Sequence, residues 1–159
     1  MLDIYEISQR LILHEGLRLQ PYRCIKWRLT IGVGRNLDSN PLSSEEKSVL
    51  GDWKHGITTQ EAMYLLRNDI LKINTLLKKH IKFFSKLDDE RQYALIDMAF
   101  NMGIGGLLQF KKMLKAIEQK KFNQAADECL NSQYAKITKK RAIRIAEVIR
   151  NGTFKIWNI

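Results

Sequence analysis

The chain of 159 residues has two cysteines, two prolines and no apolar run long enough to cross a bilayer. Cys24 and Cys129 are too few for a disulfide-stapled scaffold, so synthesis in a reducing compartment is expected. The start, MLDIYEISQRLILHEG, puts Asp3 and Glu6 where a secretory signal carries basic residues. Its longest apolar run is LIL, and no signal is expected. His14, His55 and His80 lack ligand spacing with one another, with cysteine or with an acidic cluster, so no metal is expected. No Walker-type loop is present, GVG is too short to count as one, and no cofactor is expected. Acidic side chains are also scarce. Seventeen Asp and Glu face 27 Lys and Arg, a net charge of +10. Such a surface favours a polyanion: nucleic acid, an anionic membrane or an acidic cell envelope. The basic residues are spread over Lys78–Lys82, Lys111–Lys115 and Lys139–Arg144, without a zinc module, an RNP signature or a basic zipper. That distribution argues against specific nucleic-acid recognition and fits solvated helix faces.

The length suits one domain with a substantial core. Asp3 with Glu6 predicts a capped first helix over about residues 3–14, with Ile4, Ile7 and Leu11 on one face and Gly16 as its stop. From Tyr22 the period changes to two. Ile25, Trp27, Leu29, Ile31 and Val33 alternate with Cys24, Lys26, Arg28, Thr30 and Gly32, predicting a small hairpin or three-stranded meander through about Leu37. Helical signals take over after Pro41. Ser43 with Glu46 opens a short helix, and Thr58 with Glu61 opens one that can exceed twenty residues. Asp88 starts another, with Gly103 as its end and the GIGG run as a tight junction. Further helices are expected at roughly 107–119, 123–131 and 138–150, before a short tail carrying Trp157. The class is α+β and mostly helical. A small β-containing N-terminal lobe covers about residues 15–60 and a long helix covers about 58–79. A helical C-terminal lobe covers about 80–159, with helix 3–14 packed on it. A cleft between two such lobes is a natural ligand site.

Three side chains near the N-terminus are candidates for chemistry. Glu15 ends a helix, where carbonyl ends disfavour an anion, so it is either solvated or held by a cation. Burial against apolar walls would favour its neutral acid. Alone, it reads better as an exposed surface glutamate than as a catalytic acid. A lone cysteine is usually a small buried apolar residue. Around Cys24, however, Arg23, Lys26 and Arg28 would make thiolate more accessible, while an ionised Glu15 would oppose it. Thr30 alone is an ordinary strand residue, and Cys129, on the apolar face of AADECLNS, reads as core.

Taken together, Glu15, eight residues, Cys24, five residues and Thr30 match the catalytic signature of the phage-type lysozymes, glycoside hydrolase family 24. The family places Glu, Asp or Cys, and Thr at this spacing. EGLRL, TIGVG, ITTQEA, DMAFNMG and NGTFKIW resemble family segments in the same order, over nearly the whole chain. The resemblance implies a two-lobed, lysozyme-like fold with the site between lobes. It also implies hydrolysis of the β-1,4 bond between N-acetylmuramic acid and N-acetylglucosamine in peptidoglycan. By resemblance Glu15 is the general acid, and Thr30 and Cys24 assist the attacking water. Cys24 occupies a position that is aspartate in the T-even branch. As a thiolate it could polarise the water or attack carbon; as a neutral thiol it would only leave room. Water attack with inversion is the working expectation.

The same resemblance marks Asn36, Phe100, Asn101 and Arg141 as substrate-binding, with Arg141 the candidate cation for Glu15. Lys26 and Trp27 replace an acidic residue and a glycine, which would make the cleft entrance basic and aromatic, a sugar-stacking platform. Arg35 replaces the family histidine and is expected to form a partly exposed pair with Asp69, worth about 1 kcal/mol. The expected partners are peptidoglycan glycan strands and an anionic envelope surface, with the chain acting as a monomer. Made in the host cytoplasm, it would reach the periplasmic wall through a holin-type pore and cause host lysis. Two other functions compete: a lytic transglycosylase, and a cationic protein that disrupts the envelope through basic helices near 111–121 and 136–150.

Overall fold

The structure, a computed structural model, describes residues 1–156; Trp157 lies outside them. Among the described residues, the chain is mostly helical and holds one three-stranded antiparallel sheet. The chain forms two compact units. One is Asp3–Leu71; the other joins Met1–Leu2 to the chain from Lys72 onward.

In the first unit, α1 (Ile4–Glu15) starts where Asp3 accepts the Glu6 amide at 2.8 Å and stops at Gly16. By chain contacts α1 groups with the sheet. The sheet is β1 (Arg18–Arg23), β2 (Leu29–Gly32) and β3 (Arg35–Asn36), in that order. Alternation misplaced its first strand. Residues 24–28 are the hairpin turn: the Cys24 carbonyl accepts from the Trp27 amide at 2.7 Å, and the Cys24 amide donates to the Arg28 carbonyl at 3.0 Å. A short turn inside a hydrophobic alternation leaves the period unbroken, so period alone cannot locate the reversal. The true first strand, RLQPYR, hides behind Pro21. An edge strand tolerates proline, and the register there is irregular, Arg18 facing Gly32 but Tyr22 facing Thr30.

Helix α2 (Ser44–Leu50) begins with a complete capping box between Ser43 and Glu46. Helix α3 (Thr59–His80) begins with the Glu61 amide bonded to Thr58 Oγ1 at 3.1 Å. The sheet, α2 and the first turns of α3 enclose one apolar cluster: Ile31, Leu37, Leu42, Leu50, Ile57, Ala62 and Leu65. The boundary between the two units falls inside α3.

The second unit is helical. Helix α4 (Asp89–Leu108) is capped by Asp88 and is buried on nearly every side from Gln92 to Ala99. Gly103, expected to end it, breaks it instead. Its backbone (φ 76°, ψ 164°) leaves the helix and a further helical turn follows. Helices α5 (Lys111–Glu118) and α6 (Phe122–Leu130) follow the expected order. The stretch expected as one helix at 138–150 is preceded by a separate short α7 (Gln133–Thr138), opened by Ser132, and α8 (Lys140–Asn151) begins after Lys139. Arg91 ties α4 to α8, its Nε and Nη2 donating to the carbonyls of Ile149 and Arg150 at 2.7 and 3.0 Å. Those carbonyls belong to the last turn of α8, which has no intrahelical donors for them.

Candidate active site

Glu15 is the last residue of α1, and its carboxyl group lies over the β2–β3 turn. A Cβ built on Gly34 would stand 2.8 Å from Glu15 Oε2 and 3.2 Å from its Cδ. Gly34 also has φ +63°, so both its backbone and the space above it call for glycine. The sequence thus places the candidate acid by leaving a side chain out.

Thr30 is buried in the middle of β2, opposite Asn36 of β3 and Tyr22 of β1. Its hydroxyl donates to the Arg28 carbonyl at 2.9 Å and also contacts Cys24. One proton serves two acceptors, so it can turn to sulfur when the thiol ionises.

Cys24 is a free, partly exposed thiol at the first position of the turn, not on a strand. Its pKa is lowered, chiefly by a hydrogen bond from the Arg28 amide, with the Lys26 amide, the Thr30 hydroxyl and its own amide adding to this against desolvation. Sequence alone leaves the direction of the shift open, between the flanking cations and Glu15; turn amides converging on sulfur lower it, in the manner of a small anion nest. Cys129 is the opposite case. Fully buried in α6, its thiol is pushed up to about 12 by burial, with the charge of Asp97 adding to it.

Tyr22, which sequence reasoning does not single out, lies beside the candidate residues. Its phenol pKa is raised by burial, opposed by Arg18 and raised further by Glu15 and Cys24. It therefore feels both candidate catalytic groups. The Arg18 guanidinium lies 4.4 Å from the ring centroid, and residues 18–22 line an open pocket of about 360 Å³. The available signal was spacing: Tyr22 is two residues before Cys24, on the strand paired with Thr30.

The turn end of the sheet rests on a buried polar cluster. Arg35 Nη2 donates to Glu46 Oε2 at 2.8 Å, and Nη1 meets Asp69 Oδ1 at 3.2 Å. Its Nε donates to the Asn40 carbonyl, while Asn40 and Asn68 amides donate to Asp69 and Glu46. The expected Arg35–Asp69 pair exists, but it is buried rather than partly exposed. Arg35 is 4% exposed and shares its charge with a second carboxylate. In the sequence Glu46 reads only as a helix-capping residue. A carboxylate has lone pairs enough for the cap and for Arg35.

Asn36 organises the chain beyond β3, its Oδ1 accepting the Asp38 and Ser39 amides at 3.0 and 3.2 Å. Phe100, half-buried, and Asn101, exposed, sit one turn before the Gly103 break in the helical unit. In that unit Arg141 Nε donates to the fully buried Asp97 at 2.8 Å, and Tyr93 donates to its other oxygen at 3.0 Å. Among the described residues no group of three or more His, Cys, Asp or Glu is arranged to hold a metal, and no helix is long and apolar enough to cross a membrane.

The family model described as Phage lysozyme matches residues 13–145. A probable T4-type lysozyme 1 of Dictyostelium discoideum is 32% identical, over 97% of this chain and 99% of its own. An endolysin of Acyrthosiphon pisum secondary endosymbiont phage 1 is 30% identical, over 80% of this chain and 77% of its own. The pre-baseplate central spike protein Gp5 of Enterobacteria phage T4 is 29% identical over 91% of this chain, but the match covers 28% of its own length.

Proposed function

The chain belongs to the phage lysozyme family, and from that premise we propose the chemistry by which this peptidoglycan hydrolase works. It cleaves the β-1,4 bond between N-acetylmuramic acid and N-acetylglucosamine. Glu15 is the general acid, and Cys24 and Thr30 assist the attacking water. The supporting observation is convergence: Tyr22 feels both Glu15 and Cys24, while Thr30 bonds to Cys24 from the paired strand.

In this reading Glu15 gives its proton to the leaving glycosidic oxygen as the bond to the anomeric carbon lengthens. The sugar becomes oxocarbenium-like. Because the Thr30 hydroxyl donates to the Arg28 carbonyl, its lone pairs are left to accept a hydrogen from water. The Cys24 thiolate, stabilised by turn amides, draws the second hydrogen and finally takes the proton. Water attacks the face opposite the departing oxygen, and the anomeric configuration inverts. Asn36, Phe100, Asn101 and the Asp97-anchored Arg141 bind the glycan. The enzyme acts as a monomer on the cell wall, reached through a holin-type pore.

Glu15→Gln tests the assignment. Turnover of purified Gram-negative sacculi should fall by about a thousandfold or more, with the circular dichroism spectrum unchanged. Unchanged turnover would remove Glu15 from the mechanism. Mass spectrometry of wild-type products should show the gain of one water per cut. Anhydro-muramic ends in their place would make the enzyme a lytic transglycosylase.

A further inference from the structure

The hairpin tip Cys24–Arg28 combines two unfavourable features that nothing in the fold accounts for. Trp27 has φ +59°, a left-handed backbone that favours glycine and makes a bulky side chain an outlier. The turn itself needs only the Trp27 backbone, whose amide bonds to the Cys24 carbonyl and whose carbonyl accepts from Arg23. The indole, which brings the strain, is 75% exposed. Beside it Ile25 is 105% exposed, so its whole side chain projects into water. Glycine at 27 and a polar residue at 25 would close the same turn with less strain and less exposed apolar surface.

We propose that this tip is an interfacial anchor for an anionic lipid bilayer. Trp27 and Ile25 enter the boundary between headgroups and acyl chains, and the cations of Arg23, Lys26 and Arg28 meet the lipid phosphates. The chemistry of the tip selects this partner. Indole favours the membrane interface, where its ring is apolar and its N–H finds an acceptor. Ile25 has no flat face to stack on a sugar, but it partitions into an acyl boundary. Three cations within six residues on a chain of net charge +10 complement an anionic surface. Among the described residues, the acidic neighbour with an ion-pair contact to this group is Asp38, 3.8 Å from Arg23. The tip projects from a hairpin whose other end is fixed in the apolar cluster, so it can enter the interface without unfolding any of the core. Lipid binding of this kind is reversible, because two apolar side chains and a few charges fall well short of a membrane span. It does not depend on Glu15 or on hydrolysis.

The test is co-sedimentation with vesicles containing phosphatidylglycerol, against vesicles of phosphatidylcholine alone. It is paired with fluorescence of a Trp53→Phe, Trp157→Phe variant, in which Trp27 is the one tryptophan. Binding to the anionic vesicles, loss of that binding as salt is raised, and a blue shift of Trp27 emission are expected. Trp27→Gly and Ile25→Ser should each weaken partition, and the pair together by at least about tenfold. Trp27→Gly should melt at or above the wild-type temperature, because the strain is relieved, so lost binding there cannot be ascribed to unfolding. The proposal fails if wild type does not sediment with anionic vesicles, or if Trp27→Gly binds them as well as wild type does. It also fails if Trp27 emission shifts with purified glycan strands and not with vesicles, which would make the tip a sugar platform. Self-association that disappears in Trp27→Gly, without lipid binding, would make it a contact between copies.

Discussion

One hairpin unit contains two opposite solutions to placing difficult side chains. At one end Arg35, Glu46 and Asp69 bring three charges out of water, and each is met by a charge or a hydrogen bond. At the other end Ile25 and Trp27 hold apolar surface in water around a strained backbone. The first end is anchored by α2, α3 and the apolar cluster; the second by turn hydrogen bonds. The candidate site straddles the two. Glu15 rests on Gly34 and Thr30 lies in the buried strand, while Cys24 is the first residue of the tip. Stability and chemistry should therefore come apart under mutation, with the folding energy at the Arg35 end and the thiol chemistry at the tip.

The largest effect expected on that contrast is Arg35→Met. It leaves Glu46 and Asp69 buried without their shared cation, and breaking a buried pair on one side costs about 3–5 kcal/mol. Urea denaturation at neutral pH should show it as a lower midpoint with an unchanged slope. A loss under about 1 kcal/mol would place this cluster with surface ion pairs and erase the contrast.

Gly34→Ala comes next, because it strikes where the anchored end meets the site. The added methyl faces Glu15 Oε2 at 2.8 Å on a left-handed backbone, so the carboxyl must move. Strain of about 1–2 kcal/mol is expected in thermal or urea unfolding. Turnover should fall further than stability does, by about a hundredfold, since a shift near 1 Å in a catalytic group has that effect. Equal turnover in the two proteins would show that Glu15 need not rest on this turn.

How far the sequence discloses these two ends differs for a physical reason. Caps are local: Asp3, Ser43, Thr58 and Asp88 each bond to an amide three residues on, and all four are legible from a short window. The candidate triad is legible through the family resemblance, whose signature sets the spacing of Glu15, Cys24 and Thr30; Glu15 ends α1, while Cys24 and Thr30 lie on one hairpin. Long-range sharing is not legible. Glu46 serves its own cap and also Arg35, and only the fold places it there. The tip misleads by regularity, since alternation through Ile25 and Trp27 imitates a strand while Pro21 disguises the true one. Tyr22 went unnoticed because its importance lies in what it faces across the sheet.

Acid sharpens the contrast further. Burial opposes ionisation of Glu46, but hydrogen bonds from Arg35, the Ser43 amide and Asn68, with the Arg35 charge, outweigh it and leave its pKa lowered. A lowered folded pKa contributes stability that is complete above the unfolded glutamate value, near 4.3, and is lost as pH falls through the folded one. Wild type should therefore lose stability below about pH 4 more steeply than Glu46→Gln does. The variant should be the weaker at pH 7, and the two curves should approach each other at the acid end. Parallel curves, from denaturation series at each pH, would mean that Glu46 is not the group being protonated.

The smallest effect on folding is expected at the tip. Cys24 is partly exposed, and serine can accept the same turn amides, so Cys24→Ser should keep the melting temperature within about 2 °C of wild type. Its effect on chemistry should be large, and it should have a particular shape. The Cys24 thiol pKa is lowered, so the population of thiolate grows across a pH range below that of an ordinary thiol. Wild-type turnover should rise with pH through that range. Serine does not ionise there, and its variant should lack the rising limb. Cys24→Asp should restore turnover with the limb moved to the carboxylate range, because aspartate supplies a negative charge at much lower pH. A rising limb that survives in Cys24→Ser would assign it to another group, and the tip would then hold its thiol for some purpose other than ionisation.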